Sequence, residues 1–286
     1  MSQALSTEEA RLEPAVAALS SLGRTIFSLA IIGLGIETML CARYATHSLG
    51  PQYEVIPVIP WLPAIPWLAY SFGAIWIACG VGMLIKNTLR TAAISLGALL
   101  SACTLILIVP KYAVALGNMS LRTVVFEPLT IACLALLLAV GAATQSWLAR
   151  LSRYVIAVSL VVFGVDHFLA LGFIANLIPG WIPFHKFWVA FFGVVFIAAG
   201  VSIGLNVLQR WGAAGIGLMF GIWVVTLHLP RVLGLYGIPD APHNPNEWSS
   251  LLIAMALWGG LWALAGVQES RHADSSTRAA TSSLSG

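Results

Sequence analysis

Eight stretches of about 20 apolar residues, each long enough to cross a bilayer as a helix, constrain this chain more than any other feature. They run roughly at 23–43, 66–85, 91–111, 124–145, 152–172, 186–206, 211–231 and 247–267. Lipid offers no partner to backbone N–H and C=O groups, so at these lengths the spanning form is the helix. Composition agrees: 9% of residues are charged and 59% hydrophobic, whereas a soluble domain carries about 25% charged residues. The expectation is an all-α integral membrane protein held in a lipid bilayer. A net charge of +3, with no basic run interleaved with aromatics, excludes nucleic acid as a partner.

The chain also repeats itself. Arg24, Gly35 and Glu37 recur 129 positions later as Arg153, Gly164 and Asp166. After a shorter loop the offset becomes 120, and Trp61, Pro63, Gly73, Gly80, Arg90, Pro110, Lys111 and Glu127 recur as Trp181, Pro183, Gly193, Gly200, Arg210, Pro230, Arg231 and Glu247. Self-similarity at a fixed offset defines the structural unit, here one of four spans. Four spans return the chain to its starting side, so the copies share one topology and are related by a pseudo-twofold along the membrane normal. This predicts eight transmembrane helices as two parallel-repeat four-helix bundles, 23–146 and 147–268. They are preceded by a cytoplasmic segment 1–22 and followed by a disordered polar tail 269–286.

Met1 to Leu22 carries Glu8, Glu9 and Glu13 and no apolar core, unlike a signal peptide. Ser6 with Glu9 reads as a capping box for a short interfacial helix. Loops and tails on the amino-terminal side hold Arg11, Arg24, Lys86, Arg90, Arg150, Arg153, Arg210, Arg271 and Arg278. The other side holds Arg43, Lys111, Arg122, Lys186 and Arg231. Positive charge accumulates in the cytoplasm, so both termini are expected there. Cys41, Cys79, Cys103 and Cys133 lie in apolar stretches without a CxxC pair and read as small buried thiols.

The remaining charges sit where charge is costly. Glu37 lies about 20 Å along its span from Arg24, and Asp166 holds the same relation to Arg153. A charge near a helix centre costs roughly 2.5–3.5 kcal/mol, while an ion pair at about 4 Å returns on the order of 4 kcal/mol at an effective dielectric near 20. Each acid therefore calls for a cation from its own copy. The first half would assemble Glu37, Lys111, Arg122 and Glu127; the second, Asp166, His167, His228, Arg231 and Glu247. Such clusters can lock helices together. The second also holds histidines, which titrate near neutral pH, so proton handling is expected there. Trp61 with Pro63, and Trp181 with Pro183, lie in rigid Pro/Trp hairpins that either belt the interface or line a pocket. Haem held between His167 and His228 is disfavoured, because two histidines at similar depth form a generic pattern. No metal is expected, since no HxxxH or HxxE spacing exists.

RYVIAVSLVVFGVDHFLA (Arg153 to Ala170), followed by IPGWIPFHKFWVAFFGVVFIAAGVSI (Ile178 to Ile203), resembles the DoxX-like family of four-span bacterial membrane proteins. The matching residues are Arg153, Gly164, His167, Pro179, Trp181, Pro183, Gly193 and Gly200; the first half carries Thr38 where the second has His167. The resemblance implies location in the bacterial cytoplasmic membrane and a link to redox chemistry. Its namesakes are associated with a quinol oxidase and with thiosulfate:quinone oxidoreduction, and a relative assists maturation of an amine dehydrogenase. The family's second span often carries an acid after its glycine; here Trp76 and Phe196 stand in those places.

Three functions fit. A redox-associated or quinone-interacting subunit would use His167 and Asp166 to manage protons beside an apolar slot and would work with a redox partner protein. A small-solute transporter would use the cleft between the copies. A structural or assembly factor would use the charges only as helix locks.

Overall fold

A computed structural model describes residues 2–41, 66–112, 119–141, 146–237 and 240–267. The hairpin with Trp61 and Pro63, and the carboxy-terminal tail, lie outside these residues, as do the side chains of residues 2–17. Among the described residues eight helices are long and apolar enough to cross a membrane: span 1, Ala18–Leu40; span 2, Trp67–Leu84; span 3, Leu89–Ile106; span 4, Arg122–Val140; span 5, Trp147–Leu169; span 6, His185–Leu205; span 7, Gln209–Val232; and span 8, Pro245–Gly266. No strand occurs among the described residues. The helix containing span 1 runs unbroken from Ser2 to Cys41, so the amino-terminal segment is helical and continuous with that span.

Local chemistry explains the helix ends and interruptions. Span 5 starts where Ser146 adopts extended backbone and its side chain accepts the Ala149 N–H at 3.2 Å, satisfying one of the donors a helix start leaves open. Buried hydroxyls inside spans bond back one turn, as Thr38 does to the Leu34 carbonyl at 2.8 Å and Ser159 to Val155 at 2.8 Å. A polar side chain thereby enters a membrane helix without an orphaned donor. Spans 3 and 7 each carry a π-helical segment, Thr104–Ile108 and Val224–His228, followed by the turns Val109–Tyr112 and Leu229–Val232. Pro110 and Pro230 sit inside those turns. Proline has no N–H for the carbonyl four residues back, and the widened turn accommodates that lost bond. In span 7 the freed Thr226 carbonyl accepts the Tyr236 hydroxyl instead.

Glycines let the backbones meet. A Cβ on Gly35 would lie 2.7 Å from the Gly73 carbonyl oxygen and 2.8 Å from Ile77. One on Gly164 would lie 2.7 Å from the Gly193 oxygen and 2.6 Å from Ile197. Gly80 meets Ser28 and Ile32 as Gly200 meets Ala157 and Val161. These partners match at the sequence offsets of 129 and 120, so spans 1 and 2 pack as spans 5 and 6 do, with the small-residue contact that membrane helices favour.

The packing joins the two halves rather than separating them. Span 1 makes its most extensive contact with span 8, span 4 packs on span 5, and spans 4 and 8 touch each other. Spans 1 and 4 make no substantial contact, and neither do spans 5 and 8. The eight helices follow one another around a ring pinched by spans 4 and 8, each half lending its last helix to the other. Gly23 and Gly259 form the span 1–span 8 crossing: a Cβ on either would lie 2.6 Å from the other's carbonyl oxygen. The matching positions between spans 5 and 4 are Ser152 and Ala139. Span 4 contacts span 5 less extensively than span 8 contacts span 1.

Candidate functional site

Asp166 and Arg122 form the first element of the site. Arg122 opens span 4, and its Nε donates to Asp166 Oδ1 of span 5 at 2.8 Å, with Nη2 donating to the same oxygen. The pair is largely sequestered, with side chains 15% and 5% exposed. It corrects the expectation that each acid is met by a cation of its own half: the partner of Asp166 comes from the first half. Glu37 follows the same rule. It accepts the Ser249 hydroxyl from span 8, a residue of the second half, and its other oxygen is buried without a hydrogen-bond partner among the described residues.

Arg231 and Glu247 do meet within one half. Arg231 Nε donates to Glu247 Oε2 at 2.7 Å and Nη2 to Oε1 at 2.6 Å, a two-pronged pairing of guanidinium and carboxylate. In the first half Glu127 Oε2 is buried without a hydrogen-bond partner among the described residues. Lys111 continues the turn after the π segment of span 3, but its side chain lies outside the described residues. His228 closes the π segment of span 7, three residues before Arg231.

His167 is the chemically distinctive residue. Its Nδ1 lies 2.7 Å from the Phe163 carbonyl oxygen. A carbonyl only accepts, so Nδ1 carries the hydrogen and Nε2 is left as the exchangeable atom. That Nε2 is buried and has no hydrogen-bond partner among the described residues; the same holds for Asp166 Oδ2. Aromatic rings enclose the imidazole. Phe196 lies 4.9 Å away between centroids, and Trp223 of span 7 stacks at 5.7 Å with 18° between planes. Phe163 and Phe220 pack edge-on against Phe196 at 6.0 and 5.6 Å. Among the described residues no three His, Cys, Asp or Glu side chains gather as a metal would require.

A fixed imidazole in an apolar box can do two things. It can exchange a proton through Nε2, and it can hydrogen-bond a flat ring lying among the aromatic walls. Arg122 holds Asp166 beside it and so fixes where the negative charge sits. Of the two expectations for Trp181 and Pro183, belting the interface or lining a pocket, their exposure, 67% for Trp181, accords with the first. The amphipathic indole suits the membrane interface better than an interior wall. Pro183 contributes its carbonyl, which accepts the Trp188 indole N–H at 3.1 Å. Sequence reasoning missed Ser249, Phe196 and Trp223. The recurrence of Trp188, Phe192 and Phe196 at four-residue steps was the available signal, since such spacing puts all three on one helix face.

No family model, no curated protein and no solved structure matches this chain. The eight apolar helices alone support an integral membrane protein in contact with lipid.

Proposed function

We propose that the chain is a DoxX-like, quinone-interacting membrane subunit whose site lies in its second half. The carrying observation is His167, held through Nδ1 with Nε2 buried and unpartnered between aromatic rings. A quinone bound there would supply the redox chemistry, taking up or releasing two electrons with two protons per ring. The chain's own residues bind and orient. His167 Nε2 donates to, or accepts from, the ring oxygen and exchanges its proton. Phe196 and Trp223 give the ring apolar faces and exclude water, while Asp166 and Arg122 hold the charge beside the imidazole. The chain has no electron carrier motif of its own, so a partner redox protein exchanges the electrons. The resemblance implies a bacterial cytoplasmic membrane, and the charge distribution of the loops supports both termini inside.

The test is to purify the protein in its native lipid and extract bound quinone. Quinone retained by the parent and lost in His167→Ala supports the reading. No retained quinone, and no uptake of added benzoquinone, overturns it.

A second reading has its own observation. The Arg122–Asp166 pair joins the halves and would serve a purely structural or assembly factor equally well. It prevails if His167→Ala alters only the melting temperature. Transport of a small solute through the ring would require flux in liposomes without bound quinone.

A further inference from the structure

His167 is the inner end of a continuous series of ring contacts that reaches the lipid-facing surface. Phe187 and Trp188 meet edge-on at 5.3 Å, Trp188 stacks with Phe192 at 5.9 Å, and Phe192 abuts Trp223 at 5.4 Å. Trp223 stacks on His167 at 5.7 Å. Phe191 adds a ring to the outer part, 5.9 Å from Trp188 and 5.5 Å from Phe192. Burial rises along the series. Phe187 is 59% and Phe191 46% exposed, Trp188, Phe192 and Trp223 are half-buried, and His167 is 8% exposed. The series follows the seam between spans 6 and 7, a joint with far less contact than that between spans 5 and 6.

The chain supplies its own comparison. At the repeat offsets, His167 corresponds to Thr38, Trp223 to Cys103, Trp188 to Leu68 and Phe191 to Ser71. Phe187, Phe192 and Phe196 keep aromatic counterparts in Trp67, Phe72 and Trp76, so what the half without the histidine lacks are the linking rings at Trp188, Phe191 and Trp223. General lipid-facing hydrophobicity would be met equally well in either half, since any apolar side chain satisfies lipid. In the second half the linking rings Trp188 and Trp223 complete a path from exposed aromatics to the imidazole, and a ring path that ends on an exchangeable nitrogen suits a ligand that uses both.

We infer that the ligand of this site is a ring bearing a long apolar tail, admitted from the bilayer through the seam between spans 6 and 7. On this arrangement the head reaches His167 while the tail lies along Trp188 and Phe192 and leaves past Phe187 and Phe191. The inference rests on the quinone reading and specifies the substrate as a polyprenyl quinone rather than a water-soluble aromatic. Aromatic walls suit both parts, because their faces accept a stacked ring and their edges an aliphatic chain. Lipid is the source, so the tail need not cross water.

The experiment uses the full chain in lipid nanodiscs with a benzoquinone whose prenyl tail carries a photoreactive diazirine. The expected result is labelling concentrated at Phe187 and Phe191 and on facing residues of span 7, at least fivefold above spans 1 to 4. Excess unlabelled polyprenyl quinone abolishes that label, and His167→Phe reduces it severalfold. Label that depends on His167 but falls on other spans overturns the seam and leaves the quinone site standing. Competition by a tailless benzoquinone as potent as the tailed one, at equal concentration in the lipid, overturns the tail requirement alone. Label unaffected by His167→Phe and by competitor overturns both the inference and the reading beneath it.

Discussion

Arg122 and Asp166 tie the two halves of the chain together across the junction of spans 4 and 5, Nε to Oδ1 at 2.8 Å. Neither belongs to the half in which the other is encoded, and both are mostly sequestered. Removing one member strands a charge in a medium that solvates it poorly.

Asp166→Leu or Arg122→Leu alone is therefore expected to lower stability by about 3–5 kcal/mol, because the remaining charge is left uncompensated. The double substitution Arg122→Leu with Asp166→Leu should recover most of that loss, since two apolar side chains of similar volume replace both charges. Thermal unfolding of the four proteins in one detergent checks this. Additive losses in the double variant would show that the pair does not act as a unit.

His167→Phe should separate packing from chemistry. A phenyl ring keeps the contacts with Phe196 and Trp223 but offers no Nε2, so melting temperature is held within a few degrees while bound quinone is lost. His167→Ala should lower both, because it removes the packing as well as the nitrogen. Retention of quinone by His167→Phe at the parent level removes the histidine from the site.

At the span 1–span 8 crossing, Gly259→Ala places a methyl 2.6 Å from the Gly23 carbonyl oxygen, a backbone atom with little freedom to yield. Overpacking of this kind costs about 1–3 kcal/mol. Gly172→Ala, where an added Cβ meets nothing within 4 Å, is the matched control and should cost less than about 1 kcal/mol. Melting curves of the two side by side decide it.

Tyr236 donates its hydroxyl to the Thr226 carbonyl, whose usual amide partner four residues on is replaced by Pro230. Tyr236→Phe should cost about 1–3 kcal/mol by orphaning that oxygen. In a Pro230→Ala background the restored amide can take the bond, and the same tyrosine substitution should cost appreciably less. Equal costs in both backgrounds, measured as a double-mutant cycle, would refute the capping role.

The number and limits of the spans were legible because hydropathy and helical rise leave little choice: all the expected starts fall within about five residues of those observed, as with 186 against His185 and 247 against Pro245. The glycine contacts were legible too, since Gly35, Gly73, Gly164 and Gly193 repeat. The exchange of last helices between halves was not. The cross-half contacts use residues that the repeat does not duplicate: Arg122 corresponds to Pro242, and Ser249 to Leu129. Comparing the halves therefore carried no information about them, and charge counting assigned Arg122 to the nearest acids in sequence. The partner of Glu37 is a hydroxyl, which no search for opposite charges would find. The box around His167 was equally hidden, because membrane helices carry phenylalanine and tryptophan everywhere and only geometry tells wall from lipid face.

The embrace of span 1 by span 8 bears on how this protein is made. Span 1 finds its principal neighbour only when span 8 has been synthesised, more than two hundred residues later. Until then its glycine-lined flank at Gly23 faces lipid or a chaperone, and final closure waits on the synthesis of span 8. Truncations that delete span 8 should thus leave span 1 stranded and mark the whole product for proteolysis, even though every other span would be intact.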